Sequence, residues 1–261
     1  MNWHTIFYDF KRSFLKPSVL AGILLITFLG LGILLLFVNI LSSAISSPSA
    51  RQIVIPAFLE FLLIGLSVFS FFFPFIIIYL TYVTFVKPRN EGSLQFILVK
   101  PITRTQLIII RYISGALIII ISTILFTLLS AFIVEEIGHI KTNLFALMLA
   151  IIGIIISQLS FYSLTYLLGS SIRSTSTYLG ISVGIYIILL VMGGVLGLFS
   201  PTADKIYSYI NPLSLSSLIM YPVNPILGFK PNMYIVIISS IMWIAVPIYL
   251  SSRIYERTDY P

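Results

Sequence analysis

The chain has 261 residues, of which 59% are apolar and only 9% charged, with a formal net charge of +7 and no cysteine. A water-soluble domain carries about 25% charged residues. Eight acids and fifteen bases cannot coat a globule of this size, so a soluble protein is excluded, and the missing thiols exclude disulfide frameworks, cysteine–zinc sites and cysteine nucleophiles.

The first element lies over residues 2–16. Trp3, Ile6, Phe7, Phe10 and Phe14 recur at helical spacing, while Asp9, Lys11, Arg12 and Lys16 fall elsewhere. This pattern predicts an amphipathic helix resting in the headgroup layer, with Pro17 turning the chain into the first apolar run. Six such runs follow, at about 18–41, 57–86, 107–134, 144–168, 177–199 and 233–252. Each is long enough to cross an apolar layer of about 30 Å. They are continuous rather than alternating, and helices satisfy their own backbone in lipid, so each predicts a transmembrane helix. The expected fold is an all-α integral membrane protein, with one transmembrane domain over 1–261.

The second run is too long for the bilayer. Its thirty residues make a helix of about 45 Å, so part of it should project beyond the lipid, and Pro74 predicts a kink. The next segment, 88–105, is bounded by prolines and rich in charge. It keeps Leu94, Ile97 and Leu98 on one helix face before Pro101, which predicts a short amphipathic helix ended by the proline. It is either a connector lying on the membrane or a docking helix for a partner. Residues 200–232 hold five prolines yet stay apolar through Leu213, Leu215, Leu218, Ile219 and Met220. A solvated loop would be more polar, so this stretch predicts a short helix re-entering the outer leaflet.

Lysine and arginine set the orientation. One side would hold Lys11, Arg12, Lys16, Lys87, Arg89, Lys100, Arg104, Arg111, Arg173, Arg253 and Arg257, and the other only Arg51, Lys141, Lys205 and Lys230. The richer side is expected to be cytoplasmic, with both termini, in the cell membrane. The basic charge is therefore a topology signal; nucleic acid is not an expected partner, because no basic groove with aromatic platforms is present.

Three motifs suggest chemistry. Gly180-x-Ser182-x-Gly184 spells a hydrolase nucleophile elbow, but that motif needs a strand–turn–helix setting. Inside an apolar helix, Gly180 and Gly184 read instead as a small-residue packing ridge, repeated by Gly193 and Gly197. This helix is expected near the contact between two copies or packed against a neighbour. Glu136-x-x-His139 has the spacing of an iron-binding pair in helical bundles, yet a single copy in a short loop reads as a solvated turn. Glu60 is the one acid near a span interior, which makes it a candidate for the transport path. No catalytic residue, metal ligand or cofactor-binding residue is expected in this chain.

Taken in order, the pieces resemble the membrane subunit of ABC-2 type (type V exporter) ABC transporters. The resemblance rests on Glu91-Gly92-Ser93-Leu94, on Lys100-Pro101-Ile102-Thr103-Arg104 and on Arg111, with weaker echoes at Leu168-Gly169-Ser170-Ser171-Ile172-Arg173 and Ile210-Asn211-Pro212-Leu213. The family commonly carries Lys where Arg111 stands. The resemblance implies that Glu91, Gly92, Leu94, Lys100, Pro101 and Arg104 couple the chain to an ATPase. The sequence has no Gly-x-x-x-x-Gly-Lys-Ser/Thr loop to cradle phosphates, so ATP and Mg would belong to a separate ATPase subunit, present in two copies beside two copies of this chain. The implied function is an exporter permease for an unidentified substrate. Two rivals stay open at this point. One is the same fold acting as a mechanical transmitter in metalloenzyme maturation or in antibiotic or bacteriocin self-protection. The other is an ATP-independent channel or secondary carrier, which would favour broken helices at mid-membrane and a repeat between halves.

Overall fold

The computed structural model describes residues 3–44, 57–92, 103–225 and 227–257. The described chain is helical throughout. α1 spans Trp3–Phe14, α2 Pro17–Ala44 and α3 Ala57–Thr81. A π-helical turn, Tyr82–Val86, joins α3 to the short α4, Lys87–Asn90. α5 spans Arg104–Glu136, α6 Leu144–Ser171 and α7 Thr175–Phe199. α8, Pro201–Ile210, leads through a 3₁₀ turn at Pro212–Ser214 to α9, Leu215–Met220, and α10, Met233–Arg257, completes the order. Six of these stretches are long and apolar enough to cross a membrane, in the places the apolar runs predict.

Local chemistry fixes where the helices begin. Thr103 and Gln106 form a reciprocal capping box at the start of α5. Asn143, Ser174 and Ser200 accept backbone N–H groups at the starts of α6, α7 and α8. In each case a side-chain oxygen satisfies a donor that has no partner inside the helix.

α6 is the centre of the bundle, touching α3, α5, α9 and α10, while α2 lies against α3 and α5. Phe69 stacks on Phe73 at 4.4 Å and on Phe126 at 4.3 Å, joining α3 to α5. A methyl at Gly30 would lie 2.8 Å from Phe126, so α2 approaches closely only because this residue lacks a side chain.

Two expectations change in detail. The predicted apolar face of α1 divides: Ile6 is buried and Phe10 packs on the core, whereas Phe7 is 66% exposed. α1 lies along α5, and Ser114 donates to the Ile6 carbonyl, so its apolar arc is wider than the face α5 can cover. In the second span, Pro74 sits inside a continuous α3, and regular α geometry gives way at Tyr82–Val86. The segment from Pro201 to Met220 folds as α8, the 3₁₀ turn and α9. α9 lies on α6 at Gly153, where a methyl would come within 3.1 Å of the Ser216 carbonyl.

Candidate coupling site

Glu91 and Gly92, two of the residues that the resemblance names, follow a joint where the second span passes into α4. In the π turn the Lys87 N–H reaches the Tyr82 carbonyl, one residue beyond its α-helical partner at Val83. Pro88 has no N–H to offer the Thr84 carbonyl four residues earlier. Two adjacent carbonyls thus lose their regular donors, and two cations supply them. Lys16 Nζ donates to the Val83 carbonyl at 3.3 Å, and the Arg111 guanidinium donates to the Thr84 carbonyl. Such donors are worth more than neutral ones because the charge strengthens each bond.

The same joint seizes the end of α6. Arg89 is buried and donates to the carbonyls of Gly169 and Ser170 at 2.7 and 2.8 Å. These are among the last carbonyls of α6, which have no partner within the helix. Asn90 Nδ2 donates to the Arg173 carbonyl at 2.5 Å. Gly169 permits the approach, since a methyl there would lie 2.9 Å from Val86. An aromatic cluster sits around the joint: Phe85 stacks on Tyr166 at 4.7 Å and tilts against Tyr255 at 5.8 Å. Thr105 donates to Glu256, so the ends of α5 and α10 meet at this level too.

Charge crowds this end of the bundle. The Lys16 ammonium is held below its usual pKa range, first by partial burial and then by Arg12 and Arg111, with Lys87 adding to the effect and Asp9 opposing it.

Glu91 ends α4 on the exposed side and lies 3.8 Å from Lys87, a solvated pair one helical turn apart. Gly92 has φ +70°, a left-handed conformation that favours glycine just past a helix end. Arg104 is the first residue of α5. Leu94, Lys100 and Pro101 lie outside the described residues. The joint therefore brings Glu91 and Gly92 to the lip of a network built by Lys16, Arg89, Asn90 and Arg111. In the sequence Lys16, Arg89 and Arg111 stand out only as charges, and their shared task emerges from the fold. The signal available was Pro88, whose missing N–H forces the Thr84 carbonyl to seek a donor.

The other candidates scatter. Methyl groups at Gly180 or Gly184 would meet nothing within 4 Å, so this half of the ridge faces open space in the single chain. Gly193 and Gly197 meet Tyr207 and Asp204 of α8 at 3.6 and 3.7 Å. Glu60 is exposed in the first turn of α3. His139 takes φ +53° in the turn after α5, and no group of three or more His, Asp or Glu among the described residues could hold a metal ion.

No curated protein matches the sequence. A family model described as "ABC-2 family transporter protein" matches residues 22–260, nearly the whole chain and all six apolar helices. The chain therefore belongs to the ABC-2 transporter family, as a multi-pass membrane transport permease.

Proposed function

We propose that the chain is the permease subunit of an ATP-driven exporter in the cell membrane, with both termini cytoplasmic. Two copies pair with two copies of a separate ATPase, which binds ATP and Mg. The joint at Tyr82–Gly92 receives the ATPase motion and passes it to α3 and α6. The observation that carries this reading is the pinning of one short segment to three other helices by Lys16, Arg89, Asn90 and Arg111. A push on residues 91–105 reaches α2, α5 and α6 together through these bonds. Glu91, Gly92, Leu94, Lys100, Pro101 and Arg104 make the ATPase contact. The uncovered face of α7, with Gly180 and Gly184 open, supports a contact with the second copy there. Glu60 stands as a residue of the outer path.

The test is co-purification followed by coupling. A Walker-motif ATPase should accompany the full-length chain. Among the described residues Glu91 pairs with the exposed Lys87, a pair worth about 0–1 kcal/mol. Buried against the ATPase, loss of the carboxylate would leave a partner charge unpaired and cost about 2–5 kcal/mol. Glu91→Ala should leave insertion and subunit stability intact while weakening ATPase association or uncoupling hydrolysis from transport. Wild-type association together with wild-type coupling would overturn the assignment.

A further inference from the structure

The half of the bundle away from the joint holds a partly open cavity of about 460 Å³, within the range of small-molecule sites. α3, α6 and α7 form its walls, together with the segment from Leu213 to Leu227. None of the described residues lining it is charged. A phosphate, carboxylate or ammonium would be stripped of water there without a counter-charge, at a cost of several kcal/mol. Eight of the sixteen lining residues, Leu63, Leu66, Phe71 and Ile154 among them, supply apolar wall, and the other eight carry hydroxyl or amide groups.

Most of the polar side chains offer acceptors, and the amide N–H groups of Gln158 and Asn224 add donors that a hydroxyl oxygen can meet. Ser67, Ser157, Ser216 and Ser217 line the cavity, and each already spends its O–H on a backbone carbonyl. Their oxygens keep only lone pairs to offer. Gln158, also in the wall, is 1% exposed, and its Oε1 has no partner among the described residues. An unmet buried acceptor carries a desolvation penalty that a donor on a ligand would relieve. In the same wall, Pro74 has no N–H to offer the carbonyl of Ser70 four residues earlier in α3.

We infer that this cavity binds an uncharged amphiphile whose head carries hydroxyl donors, with its chain along the leucine wall. Resting on the permease reading, this names the cargo class. It also places a binding site inside one copy rather than between two.

The test uses the full-length chain in phosphatidylcholine nanodiscs with a diazirine-bearing 1-O-octylglycerol. Photolabel should map to 63–71, 154–158 and 213–227. Free 1-O-octylglycerol should compete at least tenfold better than its 2,3-dimethyl ether, octylamine or octyl phosphate. Gln158→Leu keeps the side-chain volume and should lower labelling at least fivefold. Ser70→Phe fills the cavity from another wall and should do the same, so the result does not hang on one variant. Equal competition by diol and diether would overturn the inference, reducing the site to lipid partition. Tightest competition by octylamine would replace it with a cation site, and label confined to the outer faces of α7 and α10 would show the cavity unused. Loss of the label with an ATPase still co-purifying sinks the cargo site alone. Specific labelling without any ATPase partner sinks the permease reading and leaves the site standing.

Discussion

α6 and α7 follow each other in the chain, and their most apolar stretches share a mean hydropathy of 2.4, yet 50% of the residues in one stretch are buried and only 11% in the other. The difference lies in where the polar atoms fall. α6 buries Ser157, Gln158, Ser160, Ser163, Thr165 and Ser170, and hydrogen-bonds outward at several of them. Ser157 donates to the Leu213 carbonyl, Ser163 pairs with Tyr112, and Thr165 pairs with Thr81. α7 buries only Tyr178, Ser182 and Tyr186, one stripe at four-residue spacing. Lipid tails match leucine in polarity, so apolar side chains alone do not draw helices together. Close packing and interhelical hydrogen bonds do, and α6 has them towards several neighbours while α7 has them along one line.

The largest expected effect tests the end of α6. Arg89→Ala removes two charge-assisted bonds to the Gly169 and Ser170 carbonyls and should cost on the order of 3 kcal/mol of subunit stability. Arg89→Lys should recover part of that loss. Thermal unfolding in detergent measures both, and an unchanged midpoint in the alanine variant would show that α6 does not depend on this cap.

The next contrast sets glycine against glycine. Gly169→Leu drives atoms into Val86 and should cost about 1–3 kcal/mol by overpacking. Gly184→Leu faces open space in the single chain, so subunit stability should hold while pairing of two copies falls. Size-exclusion chromatography with light scattering separates the outcomes. A Gly184→Leu protein that keeps full assembly and ATPase activity would remove α7 from the proposed contact.

A smaller effect is expected at Tyr186, whose hydroxyl donates to the Phe71 carbonyl and ties α7 to α3. Tyr186→Phe should cost about 0.5–1.5 kcal/mol. Tyr162→Phe removes a hydroxyl with no partner among the described residues and should cost nothing or stabilise. Paired unfolding curves test the ordering of the two variants.

The smallest effect is a slope with pH. Folding lowers the Lys16 pKa beneath its ordinary value of 10.5, so between the lowered and ordinary values the unfolded chain binds more protons. Stability from this group should therefore rise with pH through that window and level off above it. Lys16→Met should abolish that rise. A wild-type curve that falls through the same window would reverse the sign and remove burial as the cause.

Much of this architecture was legible because membrane spans obey length and hydropathy. The six runs needed no tertiary information. The glycines show where legibility ended. Gly180, Gly184, Gly193 and Gly197 stand out by their regular spacing, yet tighter approaches occur elsewhere, at Gly22, Gly30, Gly115, Gly153 and Gly169 among others. Spacing reveals that a ridge exists, but which face it turns inward depends on neighbours remote in sequence. The buried serines of α6 were a better guide, since hydroxyls in an apolar helix tend to seek protein rather than lipid.

The sequence by itself determined the class of molecule, the number of spans and the family. A chain with so few charges can bury its backbone only in helices that cross lipid. Tertiary structure decided which of two equally apolar helices forms the centre, and how the second span ends. Pro88 guarantees an unmet carbonyl at Thr84, but nothing local says that a cation entering the third span will meet it. That partnership joins residues 27 positions apart, and the bonds of Lys16 to Val83 and Arg89 to Gly169 join residues 67 and 80 positions apart. Hydropathy is a property of each segment alone. Satisfaction of buried polar atoms is a property of all of them together.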